Sequence, residues 1–216
     1  MTTSIVEQVK QAGVIGAGGA GFPTYVKLES PVDTYLCNAA ECEPLLYKDQ
    51  ELMRLDAERM VRGMRIAMEQ VGATRGVIAV KGKYDRAIAA LKEHAGPDIE
   101  FHYFGNFYPS GDEYVVVTEV TGRLIPVGGL PKDVGCAVNN VETFINIAAA
   151  ADGQETENGF HGRGLAGTIR ADDDDYLVRI DMHGDVLKDV GVTVASGDAV
   201  HGKKRSHAAS PVVSPK

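Results

Sequence analysis

Residues 13–28 read Gly-Val-Ile-Gly-Ala-Gly-Gly-Ala-Gly-Phe-Pro-Thr-Tyr-Val-Lys-Leu, with five glycines (Gly13, Gly16, Gly18, Gly19 and Gly21) inside nine residues. Such a run is costly in backbone entropy, and a folded domain tolerates it where the chain turns sharply or where a ligand approaches the main chain. Clustered backbone N–H groups beside a helix start form an anion site, and Lys27 adds a positive charge six residues after Gly21. The expectation is a phosphate-bearing cofactor; the competing reading is an ordinary glycine-rich turn. Gly16 to Gly21 matches G-x-G-x-x-G, but that fingerprint needs a strand in front, a helix behind and an acidic residue about 20 positions on. Upstream, Ile5, Val6 and Val9 have helical spacing and Gly13 ends the helix, leaving only Val14-Ile15 for a strand. Downstream, Pro23 biases Phe22 away from helix, although a helix can begin at Pro23. No Gly-Lys-Ser/Thr closes the loop, so it is not a Walker loop either.

Beyond the loop, strand and helix patterns alternate from about residue 33 to 150. Residues 34–38, 76–80 and 99–104 read as strands; 50–71, 84–93 and 141–151 read as helices. Residues 113–119 are a further helix candidate, although Val115-Val116-Val117 also permits a strand. Such alternation predicts an α/β domain with a parallel sheet over residues 1–151. Composition then changes. Residues 152–164 read as a polar linker, 165–202 as a small β-rich or partly disordered appendage, and 203–216 as a disordered tail.

The chain has 216 residues, 44% apolar and 24% charged, with a formal net charge of −8. That balance argues against nonspecific nucleic-acid binding, which rests on neutralising phosphates. No run approaches the roughly 20 apolar residues of a membrane-spanning helix, and the N-terminus lacks signal-peptide features. Three cysteines (Cys37, Cys42, Cys136) form no Cys-x-x-Cys pair, and the six histidines are scattered, so no metal site is expected. These features predict a cytoplasmic protein.

Three further polar stretches fall where loops should follow strands. Asn38-Ala-Ala-Glu-Cys-Glu-Pro44 places Glu41 and Glu43 at a strand end, where they could hold sugar-type hydroxyls or form a solvated turn. Phe107-Tyr-Pro-Ser-Gly-Asp-Glu113 offers an aromatic face, a glycine and two acids. Val138-Asn-Asn-Val-Glu-Thr143 has paired amides before a helix, where Asn139 or Asn140 reads most simply as the N-cap.

Taken in order, Gly-Ala-Gly-Gly-Ala-Gly-Phe-Pro-Thr-x-x-Lys, Asn-Ala-x-Glu-x-Glu-Pro, Tyr-x-x-Gly-Asp-Glu and Asn-Asn-Val-Glu-Thr resemble the FMN-binding domain of the NADH-oxidising subunit of respiratory complex I. The wording is closer to the Rnf-complex C subunit and to the corrinoid (cobalamin) reductases, over about residues 8–150. The resemblance implies a modified Rossmann-like flavin domain. Gly16, Gly18, Gly19, Gly21 and Lys27 would lie by FMN, and Asn38, Glu41 and Glu43 by its ribityl chain and ring. Phe22 would lie against the dinucleotide, and Asn139 and Asn140 would hold the phosphate end. Tyr108, Gly111, Asp112 and Glu113 would form the face where nicotinamide stacks. Of these, Glu113, Tyr108 and Glu43 are the residues the resemblance places closest to the chemistry.

The resemblance further implies hydride transfer from NADH to FMN and electron delivery to a partner, an iron–sulfur or corrinoid protein. It places such a module at the periphery of a membrane complex or within a microcompartment. Some residues depart from the family pattern. Ala40 replaces an aspartate found in complex I relatives, and no aromatic residue between Arg123 and Val138 is present to stack on adenine. Cluster-ligating cysteines are not recognisable in the chain, whose residues 165–202 faintly resemble a barrel-sandwich segment. These departures keep a second expectation open: a non-catalytic flavin-binding or assembly subunit. A third, a standard dinucleotide-binding dehydrogenase domain, requires a strand directly before Gly16.

Overall fold

The computed structural model describes residues 3–43 and 45–153, and the expected linker from residue 154, the appendage and the tail lie outside them. The first helix, α1 (Ile5–Gln11), is capped by the Ser4 hydroxyl, which accepts from Glu7 N–H. It ends where Gly13 takes a left-handed φ of 66°, a conformation a side chain would resist. Among the described residues no strand precedes the glycine loop. Ile15 and Pro23 form an isolated antiparallel bridge that pinches residues 16–22 into a loop, and the short α2 (Thr24–Leu28) follows. The strand–turn–helix geometry of a dinucleotide fingerprint is therefore absent at this position.

Four parallel strands form the sheet: β1 (Thr34–Ala39), β2 (Arg75–Lys81), β3 (Ile99–Phe104) and β4 (Cys136–Asn140), in the order β3-β2-β1-β4. The expected α/β class with a parallel, Rossmann-like sheet is the one observed. Strand alternation divides the apolar residues between two faces. Tyr35, Cys37, Ile78, Val80 and Ala137 pack in the larger core with the helices that follow β1, β2 and β4. These are α4 (Ala57–Val71), which comes after the short α3 (Lys48–Leu55), then α5 (Asp85–His94) and α7 (Val141–Ala151). Leu36, Val77, Ala79, Cys136 and Val138 pack with Val116 and Val117 of α6 (Glu113–Thr121) on the other face. That second face is thinly covered, which leaves room beside β4 for a cavity.

The structure corrects the helix expected over 50–71, adds β4, a strand not expected from the sequence, and bears out the helix candidate over 113–119. The helix expected over 50–71 is two helices, α3 and α4, because Asp56 leaves helical geometry at φ −132° and ψ 34°. The apolar residues of this stretch do not form one stripe: Leu55 is 69% exposed, whereas Met53, Met60 and Met64 are fully buried. The valine run at 115–117 is helical, since the Asp112 carboxylate caps it by accepting from Tyr114 and Val115 N–H.

Candidate functional site

After β1 the chain builds β2 and β3 on one side, then crosses back to place β4 on the other. The carboxyl ends of β1 and β4 thus flank a topological switch point, where open α/β sheets bind ligands. A cavity of about 530 Å³ opens there. Its walls bring together four stretches distant in sequence: Gly16, Gly18 and Phe22 from the glycine loop with Lys27 of α2; Asn38 of β1; Gly111, Asp112 and Glu113; and Asn139 and Asn140 of β4.

Each stretch is held by identifiable contacts. Asn38 Nδ2 donates to the Gly111 carbonyl at 2.7 Å, and Gly111 N–H donates to Cys42 Sγ at 2.8 Å. A Cβ at Gly111 would lie 2.3 Å from the Ala40 carbonyl oxygen, so only glycine permits this approach. Asn140 caps α7, its Oδ1 accepting from Glu142 N–H at 3.0 Å, and its Nδ2 donates to Asp49 Oδ2 at 2.7 Å. Asn139 is buried, donates to the Tyr35 hydroxyl at 3.0 Å and leaves its Oδ1 without a partner among the described residues.

Three lysines each donate to a backbone carbonyl around this region. Lys27 Nζ reaches Val138 O on the open edge of β4 at 2.6 Å, Lys81 Nζ reaches Glu41 O at 2.6 Å, and Lys48 Nζ reaches Ala17 O at 3.4 Å. Lys27 also pairs with Glu113 at 3.5 Å and lies 5.6 Å from the centroid of the Phe22 ring. Burial lowers the Lys27 pKa below its ordinary 10.5, against the opposing pull of Glu113. Burial raises the pKa of Asp49, an effect that Lys48 and Asn140 only partly offset. Glu41 is raised for the same reason, and by the charge of Asp49.

Five of the residues expected at the site do not line this cavity: Gly19, Gly21, Glu41, Glu43 and Tyr108. Glu43 and Tyr108 are exposed, and Glu41 is engaged through its carbonyl by Lys81. Sequence reading missed Lys132, which lines the cavity from the short turn of 3-10 helix Pro131–Val134, and Leu130 and Pro131 beside it. It also missed Lys48, Asp49 and Glu142 behind the loop. Lys48 and Asp49 carried no visible signal because they fell just before the expected helix. Among the described residues no helix is long and apolar enough to cross a membrane, and no group of three or more His, Cys, Asp or Glu could hold a metal ion.

A cavity at the switch point of a parallel sheet, edged by a glycine loop and lysines, defines a cofactor-binding α/β domain. The family model of the Nuo51 FMN-binding domain matches residues 9–149, and the chain belongs to that family. It is 51% identical over 151 residues to the cobalamin reductase PduS of Citrobacter freundii, covering 70% of this chain and 34% of that protein. It is 42% identical to the C subunit of the Na(+)-translocating ferredoxin:NAD(+) oxidoreductase complex of Acetobacterium woodii, covering 67% of this chain and 34% of that one. Among solved structures, a chain of an NAD+-reducing [NiFe]-hydrogenase superposes with a TM-score of 0.61 at 28% identity, covering 68% of this chain and 30% of that chain. The chain thus spans about a third of the length of these relatives.

Proposed function

We propose that this chain is a flavin-dependent electron-transfer module that holds FMN in the β1–β4 cavity. In this reading it accepts hydride from NADH and passes electrons to a partner protein, an iron–sulfur or corrinoid protein. The observation that carries the reading is the convergence of four separated stretches on one cavity at the switch point. Its volume falls within the range of small-molecule sites. Main chain at Gly16 and Gly18 forms one wall, where a Cβ at Gly18 would lie 3.4 Å from Asn140 Cβ. Lys27 and Lys132 supply positive charge suited to a phosphate. These residues fit FMN. The names of two of the relatives include NAD, which favours a nicotinamide as reductant.

When bound, FMN supplies an acceptor for a hydride that can release electrons one at a time. The protein's own residues position and shield. Phe22, Val26, Leu130, Pro131 and Val138 contribute apolar surface that limits water in the cavity. Asp112 fixes the start of α6 and so places Glu113, the one of the three residues expected nearest the chemistry that lines the cavity.

A second reading, a flavin-holding subunit without electron transfer, is favoured by the positions of Glu43 and Tyr108 outside the cavity lining. One experiment separates the two. The purified protein is mixed with FMN, freed of excess, and titrated anaerobically with NADH while its visible spectrum is recorded. Retained flavin that bleaches is the expected result. Retained flavin that stays oxidised would leave the second reading standing, and no retained flavin would overturn both.

The lowered pKa of Lys27 adds a pH signature. The ammonium is charged only below its pKa, so affinity for the anionic cofactor should fall as pH rises through a value below 10.5. In Lys27→Met that alkaline fall should vanish, and affinity at neutral pH should approach the wild-type alkaline value. Dissociation constants measured across pH 7 to about 10 check this; an unchanged alkaline limb in the variant would assign the effect to another group.

A further inference from the structure

The glycine loop is gripped from behind at one residue. Ala17 N–H donates to Thr143 Oγ1 at 3.0 Å, and the Ala17 carbonyl accepts from Lys48 Nζ at 3.4 Å. Gly16 and Gly18 on either side both line the cavity. A trans peptide is planar with its C=O and N–H antiparallel, so holding the Ala17 carbonyl toward Lys48 aims the Gly18 N–H the opposite way. We propose that Lys48 is a positioning residue, which keeps the Ala17 carbonyl turned from the cavity and presents the Gly18 N–H to the cofactor. The proposal rests on the FMN reading above.

Lys48 is itself held firmly. Its ammonium lies 2.6 Å from Glu142 Oε2 and 3.4 Å from Asp49 Oδ1. Burial disfavours its charge, yet the two carboxylates hold its pKa above the ordinary lysine value, so it stays an ammonium donor. Asp49 accepts from Asn140, whose Oδ1 caps α7 at Glu142. One loop peptide is thereby tied to the first turns of α3 and α7. Without Lys48 the peptide between Ala17 and Gly18 can rotate, because glycines at 18 and 19 oppose rotation only weakly. A rotated carbonyl would set negative partial charge against an anionic cofactor.

The test compares wild type, Lys48→Met and Lys48→Arg for FMN dissociation constant, visible circular dichroism of bound flavin, and melting of the FMN-free protein. Lys48→Met should weaken FMN by about tenfold or more and change the flavin spectrum, whereas Lys48→Arg should restore both. Loss of the partly buried ion pair can also lower melting, so Thr143→Val serves as a second probe of the loop, releasing the Ala17 N–H in the peptide just before the one Lys48 holds. That variant should weaken FMN in the same direction with melting nearly unchanged. Unaltered affinity and spectrum in both Lys48→Met and Thr143→Val would overturn this proposal alone. Failure of the wild type to bind FMN would overturn the functional reading, and this proposal with it.

Discussion

Gly18→Val should raise the FMN dissociation constant by about 100-fold, about 2.8 kcal/mol, while leaving a folded protein. Gly18 does not adopt a left-handed φ, so valine strains the backbone little. Its Cβ would rest 3.4 Å from Asn140 Cβ, a contact the loop can accept, and its two methyl groups would extend from there along the cavity wall. Space now open to a ligand would be filled, and the approach to the loop's main chain closed. Isothermal titration with FMN measures the loss, and thermal melting of the FMN-free variant checks the fold. A variant that melts like wild type but binds FMN equally well would remove the glycine loop from the cofactor site.

Gly63→Ala should destabilise the fold severely, although it adds only a methyl group. In an open helix, alanine for glycine stabilises by about 0.5–1 kcal/mol. At this position the sign reverses, because α4 and α7 pack backbone to backbone. A Cβ on Gly63 would lie 1.8 Å from the Phe144 carbonyl oxygen, 2.7 Å from its carbonyl carbon and 3.3 Å from Ala148 N. The helices must separate, loosening Met60, Met64, Phe144 and Ile147, all fully buried. A cost of about 3 kcal/mol or more is expected, which lowers the melting temperature by about 6–12 °C in a domain of this size. Melting by far-ultraviolet circular dichroism reads it directly. A variant that melts at or above the wild-type temperature would contradict the close approach of the two helices.

Much of the site was visible in the chain. Gly13 left only Val14-Ile15 for a strand before Gly16, and the observed loop is closed instead by the Ile15–Pro23 bridge. Asn139 or Asn140 read as a helix cap, and Asn140 is the one that caps α7. What local pattern misjudged was continuity. Leu52, Leu55 and Met60 have helical spacing, but spacing cannot reveal that Asp56 breaks the helix and leaves Leu55 in solvent. Glu41 and Glu43 were grouped by proximity along the chain, although Lys81, 40 residues from Glu41, holds the Glu41 carbonyl and Glu43 stays exposed.

By itself the sequence pointed to the class of the domain, three of its four strands and the four stretches that meet at the proposed cofactor cavity. Those properties rest on short-range physics: apolar periodicity, caps, and the backbone freedom of glycine. Only the tertiary structure decided which of those residues share a cavity, that Lys132 joins them, that Gly63 is where two helices touch, and that Lys48 reaches the Ala17 carbonyl. Each of these depends on the return of β4 to the far side of β1, which places Asn140 opposite Asn38 although β2, β3 and their helices intervene in the chain. Strand order follows from the packing of whole faces, and no local run of residues encodes it.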